Sequence, residues 1–267
     1  NGHGWTFGLP VRGRTIASTV RMLHDQGATV IKLMASGGST VGTQAWSATL
    51  SEDTIRSAVR EAHTLGVPVA AHISCPEAAR RCLRAGVDDL EHLNLWTDAS
   101  YRNQVSVDLL RAIRGRGVFV GPTLQTPYRI LHSGMTAEDS RAEVRERLYR
   151  DVLSNFRVFA REQLRLIAGS DAGFLVTRFD ELWLGLRIMV EHGLSEREAV
   201  RSATVEATAA LGLASVTGCL ATGLAADLLI VEGDPLTSID ALSAVRAVFV
   251  GGRAVPYLRD DASAAPI

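Results

Sequence analysis

The chain has only three cysteines, Cys75, Cys82 and Cys219, in 267 residues. They form no C-x-x-C pair, which argues against a cysteine zinc site, and they are too few to staple a chain of this length, so a reducing compartment, the cytoplasm, is expected. Long hydrophobic runs are equally scarce. No apolar stretch reaches the roughly eighteen residues that a membrane-crossing helix needs, so no membrane partner is expected. No basic-then-apolar segment marks a leader, although the sequence starts at Asn1 and leaves open whether one was removed. Excess charge of one sign is absent too: 28 basic against 29 acidic side chains leave a formal net charge of −1. Such a balance carries no sign of a nucleic-acid partner.

What is present is a sizeable apolar content, 46%, enough for one large domain or a domain with a small appendage. Helical spacing and short apolar runs alternate. Helices are predicted over 14–28, 51–66, 76–86 and 106–117, and strands over 29–35, 67–73, 87–93, 118–124 and 164–171. Ser51 is the expected N-cap of the second helix, with acidic residues in its first turn, and Pro76 stands near the first position of the third. A polar helical excursion at about 136–164 interrupts the rhythm, and two further helical segments follow at about 178–193 and 195–212.

Short strands alternating with amphipathic helices predict an α/β fold of the (β/α)8 TIM-barrel type. Five strands are counted where a closed barrel needs about eight, so the barrel is expected to be amino-terminally incomplete. After residue 213 glycine-punctuated β-segments replace the helices. The predicted layout is therefore a partial barrel over 1–213, strands of a small β-sandwich over 214–258, and a tail over 259–267.

Polar residues at the carboxyl ends of barrel strands are where chemistry is sought. Four occupy that place: Lys32, His72, His92 and Asp171. Each alone has an ordinary explanation: a hydrogen-bonded core histidine for His72 and His92, a helix cap for Asp171, a snorkelling stem for Lys32. Lys32 is the odd member, because "ATVIKLMASGGST" reads as a buried strand and an unpaired buried ammonium is costly. Imidazole and carboxylate are ligands for zinc and similar ions, whereas lysine joins such a set only after losing its charge. A neutral amine can add carbon dioxide, and the resulting carbamate is a two-oxygen anion able to hold one metal ion with each oxygen.

Lysine in "VIKLMASGG", histidine in "AAHI", histidine in "LEH" and aspartate in "GSDAG", in that order, resemble the metal ligands of the amidohydrolase superfamily, in its imidazolonepropionase-like and prolidase-like branch. "GCLATGLAADLLIVEGDPL" is similar to the stretch that returns from the barrel to the sandwich in that superfamily. The resemblance implies a metal-dependent hydrolase cleaving an amide C–N bond of a small molecule such as a dipeptide, an N-acyl amino acid or a cyclic amide. Lys32, as a carbamate, would bridge two divalent ions, zinc by expectation. His72 and His92 would bind one ion, and Asp171 the other, while acting as the base for the attacking water. His3, in "NGHGW", and Tyr128, in "PTLQTPY", match residues that contact substrate in this branch.

The family's first barrel strand carries a His-x-His pair, and none occurs in this sequence. "HISCPEA" also departs, with Ile-Ser-Cys where the branch more often has small residues and a second histidine. A one-ion enzyme acting on a cyclic amide or as a deaminase, and a non-catalytic scaffold relative, therefore stand as alternatives. Association is expected as well, either of identical copies or with a segment that supplies the missing strands.

Overall fold

The computed structural model describes residues 8–10, 13, 15–38, 42–132, 142–173 and 176–256. Helices and strands alternate through α1 (Ile16–Asp25), β1 (Ile31–Met34), α2 (Glu52–Thr64), β2 (Val69–Ile73), α3 (Pro76–Ala85), β3 (Asp89–His92), α4 (Val107–Gly115) and β4 (Phe119–Gly121). Two helices, α5 (Gln125–His132) and α6 (Ala142–Arg161), precede β5 (Arg165–Leu166). α7 (Leu182–Glu191), α8 (Glu196–Ser202) and α9 (Val205–Ala210) follow. The strands β1 to β5 lie side by side in chain order, all parallel, as in the wall of a TIM-type barrel. A separate antiparallel sheet joins β6 (Leu228–Val231), β7 (Val245–Val250) and β8 (Arg253–Val255).

Local chemistry sets the helix limits. The Ser51 hydroxyl accepts the Thr54 N–H at 3.2 Å, and Glu52 and Asp53 complement the positive end of α2. Pro76 opens α3, and Gly86, at φ +88°, ends it in the left-handed conformation. Two predictions need correction. The stretch 195–212 is not one helix, because Thr204, at φ −126° and ψ −97°, leaves helical geometry between α8 and α9. Helix after β4 begins already at Gln125, with Pro127 in the first turn, where a missing N–H does no harm.

Strand alternation divides the residues of the parallel sheet between two faces. Ile31, Leu33, Val69, Ala71, Leu90 and Val120 point to the helices and join the main core with Ile55 of α2 and Phe156 and Phe159 of α6. The other face carries two rows of partners in register. Lys32, Ala70, Asp89, Phe119 and Arg165 form the first row, and Met34, His72, Glu91 and Gly121 form the second. β1 is therefore not buried throughout, as its sequence predicted: Lys32 lies on the second face with its side chain 42% exposed. In the antiparallel sheet Leu229, Ile230, Val250 and Val255 remain exposed.

Candidate functional site

The second face of the parallel sheet opens into two cavities, one above the other. The upper one, about 890 Å³, lies at the carboxyl ends of the strands and is lined by His72, His92 and Asp171, with Ser74 and Thr123 beside them. The lower one, about 260 Å³, is lined by Lys32, Asp89 and Glu91 together with apolar residues that include Ala210 of α9. His72, His92 and Asp171 are thus brought to one cavity, and Lys32 lines the other. Among the described residues, no three His, Cys, Asp or Glu side chains close on one point as a metal shell.

His92 reaches the upper cavity because the backbone departs from regular strand geometry. It stands in register with Ile73, which points into the core, so unbroken alternation would send the imidazole there as well. Its φ of +69° turns the ring the other way, to a centroid distance of 4.7 Å from the ring of His72. Thr123 after β4 and Asp171 after β5 are also left-handed, at φ +47° and +51°. Three neighbouring strand ends thus each carry a non-glycine residue in a conformation that costs energy, the pattern found where a site is held in shape by its surroundings.

Each imidazole is pinned through a different nitrogen. Nε2 of His72 donates to the carbonyl of Gly37 at 3.2 Å and lies 3.0 Å from the hydroxyl of Ser74. A carbonyl only accepts, so this contact places the proton of neutral His72 on Nε2 and leaves the ring's lone pair on Nδ1. Nδ1 of His92 lies 2.7 Å from Oγ1 of Thr123. Ser36 supports the first pin, since its buried hydroxyl accepts the N–H of Ser74 at 2.7 Å. Gly37 must be glycine: a Cβ there would overlap the backbone of Gln44.

The segment bearing Asp171 is held by a chain of hydroxyls. Thr126 of α5 donates to the carbonyl of Ser170 at 3.2 Å, and the buried Thr177 donates to Thr126 at 3.1 Å. Arg129 of the same helix grips Glu181 with two nitrogens, Nε at 2.8 Å and Nη2 at 2.5 Å. The roof of the cavity comes from the loop after β3 and from α6, with Trp96, Tyr101, Arg145, Leu148 and Tyr149 on it. Arg147 ties the two together by donating to the carbonyl of Ser100 at 2.6 Å. Burial, with Tyr128 nearby, pushes the Tyr149 phenol up to about 12, so at neutral pH it keeps its proton.

In the lower cavity Nζ of Lys32 lies 3.8 Å from Oε1 of Glu91. Burial, and then the charge of Glu91, hold the Asp89 carboxyl well above the usual carboxylate range. Gly121 makes room for this group, because a Cβ at that position would overlap the Glu91 carboxylate.

The two predicted substrate contacts are His3 and Tyr128. His3 lies outside the described residues. Tyr128 does not line the upper cavity; its ring stacks on His132 at 4.1 Å and meets Tyr149 edge-on at 6.0 Å. The residues that sequence reasoning missed are Ser36, Ser74, Thr123 and Thr126. Their signal was available in "ASGG", "HIS" and "PTLQT", where hydroxyls stand just past the strands β1, β2 and β4.

Comparison with known proteins adds an independent line. The model of the amidohydrolase family matches residues 11–255. Among curated proteins, the ochratoxinase of Aspergillus niger is 26% identical over 251 residues, covering 89% of this chain and 48% of the relative. The chain therefore spans about half the length of the curated relatives it matches. A prolidase solved with N-methylphosphonate-L-proline superposes with a TM-score of 0.78 at 28% identity, covering 92% of this chain and 59% of that one. A Xaa-Pro dipeptidase with bound methionine gives 0.80 at 23% identity, covering 93% and 59%, a likeness that speaks for the fold alone.

Proposed function

Since the chain belongs to the amidohydrolase family, we propose that it hydrolyses a carbon–nitrogen bond of a small molecule with the help of a divalent ion. The observation that carries this reading is the pair of imidazoles, held through opposite nitrogens and turned to one cavity that Asp171 also lines. Metal-ligating histidines characteristically give their second nitrogen to a carbonyl or similar acceptor, as His72 does to Gly37. Nitrogen and oxygen donors of this kind suit zinc.

His72 and His92 would hold the ion, with Asp171 beside it. When bound, such an ion polarises a carbonyl and makes water a better nucleophile near neutral pH. Asp171 takes the proton from the attacking water and returns it to the departing nitrogen. The roof offers aromatic and aliphatic surface from Trp96, Tyr101 and Leu148 beside Arg145. That mixture supports an apolar substrate carrying a carboxylate, such as an N-acyl amino acid or a dipeptide. The N-methylphosphonate-L-proline with which the prolidase neighbour was solved points the same way.

The number of ions is a second question. A carbamate on Lys32 would bridge two ions, and the lysine lies instead against Glu91 in the lower cavity, which favours the one-ion form. Metal per chain after gentle purification separates them: about one ion supports a site held by His72 and His92 alone, and two support the bridge. Hydrolysis of a panel of N-acyl amino acids and dipeptides, abolished by a chelator and restored by zinc, is the expected result. No hydrolysis with any restored metal, or hydrolysis indifferent to the chelator, would overturn the proposal.

A further inference from the structure

We infer that Thr123 is a positioning residue that decides which ring nitrogen of His92 faces the upper cavity. The inference deepens the function proposed above and rests on it for its consequence, though its geometry stands alone. Oγ1 of Thr123 lies 2.7 Å from Nδ1 of His92, a short hydrogen bond for a neutral nitrogen–oxygen pair, and the threonine is only 6% exposed. With Nδ1 committed to the hydroxyl, an ion in the cavity can be met only by Nε2. For the ring to ligate, Nδ1–H must donate to Oγ1, the arrangement by which outer groups fix a ligand's tautomer.

The hydroxyl is not placed by a freely turning side chain. Thr123 is β-branched and yet sits at φ +47°, a conformation such residues rarely adopt. Its surroundings impose it. On one side Gly121 ends β4 against Glu91, and Pro122 follows with its fixed φ. On the other, Thr126 is bonded to the carbonyl of Ser170 at the end of the next strand. The methyl group packs 3.7 Å from the place a Cβ would take at Gly169, so the remaining rotamers are constrained as well. The turn after β4 supplies none of the four expected ligands, and through this residue it orients one of them.

The test uses the metal-free protein labelled with 15N in histidine, so its outcome does not depend on activity. Wild-type His92 is expected to show the Nδ1–H tautomer, with Nε2 at the shift of an unprotonated ring nitrogen. Thr123→Val keeps the branched shape and removes the hydroxyl; its His92 signals should move toward the averaged values of a ring exchanging between tautomers. Thr123→Ser should keep the wild-type pattern. Zinc affinity, read by competition with a chromophoric chelator, should fall about 10–100-fold in Thr123→Val and stay close to wild type in Thr123→Ser. An Nε2–H tautomer in the wild type, or signals in Thr123→Val that match it, overturns the inference. Should Thr123→Val fail to fold, the wild-type tautomer and the serine variant still decide. If the tautomer pattern holds and no variant binds zinc, the metal-dependent reading fails while the role of Thr123 stands.

Discussion

The two cavities on the second face of the parallel sheet are built from the same strands, one row of residues apart, and are held together in different ways. In the lower one, Lys32, Asp89 and Glu91 sit where strand alternation puts them, and their charges are managed among themselves. In the upper one, His92, Thr123 and Asp171 all stand on left-handed backbone, and the rings are oriented by hydroxyls and a carbonyl from neighbouring strands. Regular strand geometry delivers charge to the interior. Breaking that geometry at the strand ends delivers aim, and aim is what a reacting centre needs.

Substitutions can break this contrast. The largest effect is expected from His72→Ala, which should remove metal and hydrolysis together and lower zinc affinity by more than the ~10–100-fold that an outer group controls; metal analysis and a chelator titration check it. Gly121→Ala should come next. Its added methyl would displace Glu91, and overpacking of this kind costs about 1–3 kcal/mol, read as a lowered midpoint in denaturant titration. Since Glu91 borders the lower cavity only, the His92 signals should move less in this variant than in Thr123→Val.

Lys32→Ala sharpens the contrast further. In the one-ion form it should leave metal content unchanged and reduce turnover less than tenfold, whereas loss of an ion with this variant would restore the carbamate bridge. The smallest effect belongs to Asp89. With its pKa raised in the folded chain, its penalty is absent below about 3.9, the ordinary value for the residue, and grows as pH rises toward the raised value. Asp89→Asn should therefore flatten the fall in melting temperature between mildly acid and neutral pH. The depressed carboxyls, among them Glu198 and Asp234, act oppositely and weaken the fold only as acid protonates them.

Much of this arrangement was legible in the sequence where the cause was local. The cap at Ser51, the proline at the start of α3, and the five-strand rhythm depend on neighbours a few residues away, and all appear as expected. The exposure of Lys32 was not legible, because an apolar flank reads alike whether one face of a strand is covered or both. The break at Thr204 lacks a glycine or proline to announce it. The hydroxyl pins were missed for a different reason: Thr123 and His92 are 31 residues apart, and only register brings them together. For His92 the sequence indicated the residue type but not its direction, since alternation from Glu91 would have turned it to the core.

The left-handed rim also bears on how this fold can vary. Leu93 and Leu95, at φ +50° and +62°, share the conformation of His92 while offering no polar group to the cavity. A strained residue of this type costs on the order of 1–3 kcal/mol, and among the described residues most of the left-handed non-glycine positions gather at the mouth of the site. Selection for heat resistance alone would loosen it first, exchanging such residues for glycine or asparagine. Selection for a new substrate would find the same loops already displaced from their resting shape, and so the easiest to re-aim.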